Sequence, residues 1–199
     1  MTQNGWLRMI EGNPGHSEWY IERWRAMAAE GNDLDGEARF IDALADRHAR
    51  ILDAGCGTGR VGGRLAQLGH TVVGVDLDPA LIAVANEDHP EARWLVGDLS
   101  AFSLADHGID DQFDIAVCAG NVMTFLDPST RRAVLTNIAA HLAEGGRLAV
   151  GFGADRGYEF ADFFEDVSAA GLHEELRLST WDLRPSTSAS NFLVAVLAK

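Results

Sequence analysis

Two periodicities alternate along this chain. Short apolar runs, of the kind found in strands buried on both faces, fall at Ile51–Asp53, Thr71–Asp76, Arg93–Asp98, Phe113–Asn121 and Arg147–Phe152. Between them, apolar residues recur at three- and four-residue steps, which predicts helices. Val61, Leu65 and Leu68 lie ahead of the stop at Gly69, and Ala80 to Asn86 follows the N-cap and first-turn proline Asp78-Pro79. Val134, Leu135, Ile138 and Leu142 share a face between a second such pair, Asp127-Pro128, and the stop at Gly145-Gly146. Tyr158 to Ala170 is a further helix, and the chain closes with strands at Leu172–Leu183 and Asn191–Ala198. Their short, turn-rich link, Arg184 to Ser188, makes that pair antiparallel.

Before the first strand the pattern is helical from Ser17 to Glu30 and from Glu37 to Asp46, with a break at Gly31–Gly36. Residues 1–15, punctuated by Gly5, Gly12, Pro14 and Gly15, read as loose. The alternation predicts one domain: a helical cap over residues 1–46 and, over 47–199, a doubly wound α/β core. That core is a three-layer sandwich around a seven-stranded, mostly parallel sheet ending in an antiparallel hairpin.

The most informative stretch is Asp53-Ala54-Gly55-Cys56-Gly57-Thr58-Gly59, where a buried strand ends in a carboxylate and runs into alternate glycines ahead of a helix. Glycines let the backbone approach a ligand, and a helix N-terminus offers free N–H donors, so this is a nucleotide-binding turn. Gly57, Gly59 and Gly62 also satisfy the dinucleotide spacing G-x-G-x-x-G, but the match sits late, since Gly55 already closes the strand. The next two strands end in Asp76 and Asp98. Asp76 falls about 20 residues beyond the loop, where an acid can accept hydrogen bonds from ribose hydroxyls.

The run Asp53-x-Gly55-x-Gly57-x-Gly59, with an acid closing each of the next two strands, resembles the first motifs of class I S-adenosylmethionine (SAM)-dependent methyltransferases. The resemblance covers roughly residues 37–199 and includes the final antiparallel hairpin, which dinucleotide domains usually lack. It implies that Asp53, Gly55, Cys56, Gly57 and Gly59 surround the methionine part of SAM. Asp76 and Leu77 would then serve the ribose, and Asp98 with Leu99 the adenine. Ala119, Gly120 and Asn121, at the exit of the fourth strand, would lie beside the reacting centre. The Asn/Asp-Pro-Pro-aromatic signature of enzymes acting on planar amide or adenine nitrogens is absent, because Val122-Met123-Thr124 follows Asn121.

Composition narrows the partners. A formal net charge of −14 lacks the basic footprint of a nucleic-acid binder, so the expected acceptor is a small molecule. Two cysteines, no apolar leader and no long apolar run predict a cytoplasmic protein with reduced thiols and no membrane span. The seven histidines are scattered without metal-ligand spacing, so no metal is expected. Methyl transfer needs chiefly an oriented acceptor, and none of His16, His141 or His173 sits in a motif that marks a base. Three of the five tryptophans lie in the first 24 residues. Trp19, Tyr20 and Trp24 fit a docked amphipathic helix or an aromatic roof over a pocket, and the two are compatible. Two alternatives stay open on these residues: a nicotinamide-dependent oxidoreductase, and a non-catalytic methyltransferase-like module that holds SAM or nothing and serves a partner protein. Oligomeric state is not readable.

Overall fold

The computed structural model describes residues 4–199. Three helices come first: α1 (Gly5–Gly12), α2 (His16–Ala29) and α3 (Gly36–Leu44). Strands and helices then alternate as β1 (Arg50–Ala54), α4 (Arg60–Gln67), β2 (Thr71–Asp76), α5 (Pro79–Asp88), β3 (Arg93–Val96) and β4 (Phe113–Cys118). There follow α6 (Val122–Phe125), α7 (Arg131–His141), β5 (Leu142–Gly153), α8 (Phe160–Ala169), β6 (His173–Leu178) and β7 (Phe192–Ala198). The seven strands form one sheet in the order β3-β2-β1-β4-β5-β7-β6. Only β7 runs against the others, inserted between β5 and β6 and antiparallel to both.

Helices cover both faces of the sheet, and neighbouring residues of each strand point opposite ways, so the core is divided in two. Ile51, Val72, Ile115, Val117 and Val194 join α3 and α4 in one core, while Leu52, Val73, Ala116, Cys118 and Leu148 join α7 and α8 in the other. A smaller cluster seats α5 on β3 through Ile82, Ala85 and Trp94.

The expectations needing correction are local. Residues 1–3 of the stretch read as loose lie outside the described residues, but the rest is largely helix α1. Asn4 accepts hydrogen bonds from the N–H groups of Trp6 and Leu7, and Trp6 is buried. The glycines at either end mark helix boundaries, not disorder. Asp127 does not cap α7: its Oδ1 accepts from the N–H and the hydroxyl of Ser129, closing a turn, and α7 begins at Arg131. Helix α7 ends at His141, and Gly145-Gly146 lie inside β5, opposite the register irregularity in its pairing with β4. Strand β3 stops at Val96, and β6 covers only His173–Leu178 of the run expected to reach Leu183.

Candidate active site

Strand order reverses between β1 and β4, and the loops leaving their carboxyl ends open a crevice there, the usual ligand position in an open α/β sheet. Asp53 forms its floor. It is buried, and its Oδ2 accepts from the N–H of Gly62 in α4 at 2.9 Å. Burial pushes the Asp53 carboxyl up to about 7; the Gly62 bond and the Arg60 charge oppose that rise, and Asp76 adds to it.

The turn above Asp53 is built from left-handed residues. Gly55, Gly57 and Gly59 have φ of 82°, 56° and 79°. Gly55 is required twice over, because a Cβ there would lie 2.5 Å from Cγ2 of Val122, the first residue of α6. The accidental-looking spacing to Gly62 also has a packing cause. A Cβ on Gly59 or on Gly62 would each come within 2.9 Å of the Trp94 ring, and the one on Gly62 would also reach 2.9 Å from Asp53. The Trp94 ring and the Asp53 carboxylate, not a pyrophosphate, account for that glycine.

Asp76 closes the crevice on the β2 side. Its Oδ2 accepts from Gly57 N–H and its Oδ1 from Asp78 N–H, both at 2.9 Å, leaving one lone pair on each oxygen for a further donor. Desolvation raises its carboxyl above the ordinary range, against those two hydrogen bonds. Leu77 is half-buried beside it. Asp98 lies two residues past Val96, the register partner of Asp76. It is exposed, and its Oδ1 is engaged by the N–H and hydroxyl of Ser100. Leu99 is buried, and the Asn137 amide donates to its carbonyl.

At the end of β4, Ala119 is buried, Gly120 is exposed with φ of 70°, and Asn121 is left-handed with φ of 65°. The Asn121 Oδ1 accepts from Gly153 N–H at 2.8 Å, tying the β4 exit to the end of β5. Helix α2 roofs the other side. A small cavity is enclosed by Tyr20, Trp24, Asp53, Gly55, Thr58 and Ala119, with the Tyr20 hydroxyl over Gly57. The guanidinium of Arg60 lies 4.5 Å from the Trp24 ring centroid and grips Glu37 through two bonds of 2.7 and 2.9 Å. The Trp24 indole N–H is buried and makes no hydrogen bond of ordinary geometry among the described residues.

Sequence reasoning thus named the floor, the turn and the acids, and offered α2 as a roof. It missed Trp6 and Arg60. Arg60 follows the glycine turn directly, and its place at the start of α4 could have been noticed. Nothing local marks Trp6. Trp19 is exposed and stacks on His16 instead of entering the crevice. His141 lies against Phe102, and His173 is on the exposed edge strand β6. A larger groove runs outside the crevice between α2, α4 and α5, but the charges lining it pair with acids: Arg25 with Asp88, Arg60 with Glu37, Arg64 with Asp35.

A doubly wound sheet with a glycine turn and an acid at the switch point defines a nucleotide-binding α/β protein. Comparison with known proteins makes that class specific. The family described as "Methyltransferase domain" matches residues 51–146. A TehB-like SAM-dependent methyltransferase from Corynebacterium glutamicum is 53% identical and superposes with a TM-score of 0.89, over 94% of this chain and 100% of that one. A malonyl-[acyl-carrier protein] O-methyltransferase from Pectobacterium atrosepticum is 35% identical over 53% of this chain and 40% of its own length. For the magnesium-protoporphyrin O-methyltransferase of Rhodobacter capsulatus the values are 35%, 59% and 52%. The chain spans about half the length of these curated relatives. It belongs to the SAM-dependent methyltransferases.

Proposed function

We propose that this protein transfers the methyl group of SAM to a small-molecule acceptor. The observation that carries the proposal is the joint geometry of the crevice: a turn with three left-handed glycines, held by Asp76 through Gly57 and floored by Asp53. The fit to SAM rests on three features. Glycine at 55, 57 and 59 keeps side chains off the left-handed turn, so its backbone can approach a ligand. The free lone pairs of Asp76 suit a vicinal diol. A buried carboxylate at Asp53, costly when alone, suits the ammonium of an amino acid.

On this reading Asp53, Gly55, Cys56, Gly57 and Gly59 enclose the methionine part, and Asp76 with Leu77 holds the ribose. Asp98 would accept from the adenine amino group beside Leu99. Bound SAM supplies an electrophilic methyl on a good leaving group. The chain's residues then have to orient the acceptor and keep water out. Ala119, Gly120 and Asn121 flank the reacting position, with Asn121 fixed by Gly153, and Tyr20 and Trp24 cover it. No side chain is assigned as a base.

A small acceptor agrees with the acidity of the chain and with relatives named for porphyrin methylation. We take residues 1–46 as a cap on the 47–199 core within one domain. Because Cys56 and Cys118 are free and buried, we assign it to the cytoplasm. No helix among the described residues is long and apolar enough to cross a membrane. Calorimetric titration with S-adenosylhomocysteine, with NAD(H) and NADP(H) in parallel, tests the reading. Selective binding of S-adenosylhomocysteine is expected; selective nicotinamide binding, or none, overturns it.

A further inference from the structure

Helices α1 and α2 hold the roof of the crevice, yet they touch the rest of the protein lightly. Among their residues only Trp6 and Ser17 are buried. Both donate to the same atom: the Trp6 indole N–H reaches Asp78 Oδ2 at 2.9 Å, and the Ser17 hydroxyl reaches it at 2.5 Å. Asp78 is itself buried. Its Oδ1 caps α5 by accepting from Ala80 N–H, and its own N–H donates to Asp76 Oδ1, each at 2.9 Å. One residue therefore ties α1, α2, α5 and the acid assigned to the ribose.

From this convergence we infer that Asp78 is a positioning residue, a latch that holds the α1–α2 lid shut over the cofactor crevice. The gating part of the inference rests on the cofactor reading above; the latch itself does not. What else fastens the lid is weaker. Arg25 pairs with Glu87 and Asp88 on the surface, where ion pairs contribute little. Trp6 also meets Phe125 edge-on at 5.9 Å, and Trp24 lies under Arg60. At its far end the lid joins α3 through Gly31, with φ of 76°, and the irregular residues 32–35, a segment able to act as a hinge. Since Tyr20 and Trp24 lie across the glycine turn, a swing of α2 away from it would uncover the turn for a ligand as large as a nucleoside. On opening, water takes the place of the two donors on Asp78, so the latch is reversible.

Asp78→Asn separates this role from simple capping. An amide can still cap α5 through its oxygen, but its NH2 then faces the indole N–H, which can only donate. Trp6→Phe keeps the ring and removes one donor, and serves if the first variant does not fold. Hydrogen exchange of the ligand-free proteins would be measured beside the rate of S-adenosylhomocysteine release. In Asp78→Asn, exchange over residues 5–30 should rise about 10- to 100-fold while β1 and β4 stay protected, and release should quicken about tenfold or more. Trp6→Phe should show a smaller change in the same segment. Unchanged exchange over 5–30, or an equal rise throughout the sheet, overturns the latch; a loosened lid with unchanged release overturns the gate. If the wild-type protein binds no S-adenosylhomocysteine, the cofactor reading and the gate fail, and the exchange pattern still decides the latch.

Discussion

The carboxylate of Asp76, the last residue of β2, accepts a hydrogen bond from the backbone N–H of Gly57 at 2.9 Å. The acid that closes one strand thus shapes the turn that leaves its neighbour. Asp76 and the glycine turn are parts of one structure, and a ligand that engages the acid also feels the turn.

Asp76→Ala should therefore weaken S-adenosylhomocysteine binding by about 2–4 kcal/mol, roughly 30- to 1,000-fold, if two charge-assisted bonds to the ribose are lost. Calorimetry on the folded variant measures this. Unchanged affinity would remove Asp76 from the ribose role.

Gly55→Ala should destabilise the protein by about 2–4 kcal/mol, combining left-handed strain with a clash against Val122. Val122→Ala in the same chain should recover part of the loss, because it removes the two nearest methyl groups. Urea unfolding of the single and double variants reads the coupling; purely additive losses would show that the contact is not the cause.

Asp53 makes stability depend on pH. Burial raises its carboxyl in the folded protein to about 7, above the ordinary value near 3.8. The folded state therefore binds the proton more tightly, and stability falls as pH rises from about 4 through 7, on the order of 2–4 kcal/mol in all. Asp53→Asn should flatten that slope in urea unfolding of the ligand-free protein. The same linkage predicts that S-adenosylhomocysteine, bringing an ammonium to Asp53, displaces a proton near pH 6.5. Its affinity should rise with pH through 7, and calorimetry in buffers of different ionisation enthalpy should detect the release.

Asn121→Ala should cost about 1–3 kcal/mol, since it leaves the Gly153 N–H without its acceptor at the end of β5. Asn121→Asp keeps an acceptor and should lose less. Equal losses in unfolding experiments would argue that the left-handed backbone at Asn121 matters more than the bond.

The strand–helix alternation, the glycine turn and the acids at the ends of β1 and β2 were all legible in order along the chain. Each depends on short-range chemistry: alternation of apolar faces, a glycine's tolerance of positive φ, or a carboxylate at a strand end. Boundaries failed where two local signals competed. Gly145-Gly146 carry the mark of a helix stop yet extend β5, and Asp127-Pro128 close a turn ahead of a helix that starts later.

The amino-acid sequence by itself determined the class of fold, the family, and the floor and turn of the crevice. Tertiary structure alone decided what Gly62 avoids, why Gly55 tolerates no side chain, and how the N-terminal helices are fastened. Trp6 and Asp78 are 72 residues apart, as are Asn121 and Gly153 by 32, and no spacing rule links such pairs. They meet because the sheet brings the ends of its strands to one edge, where a buried acceptor must find donors from whatever part of the chain folds over it.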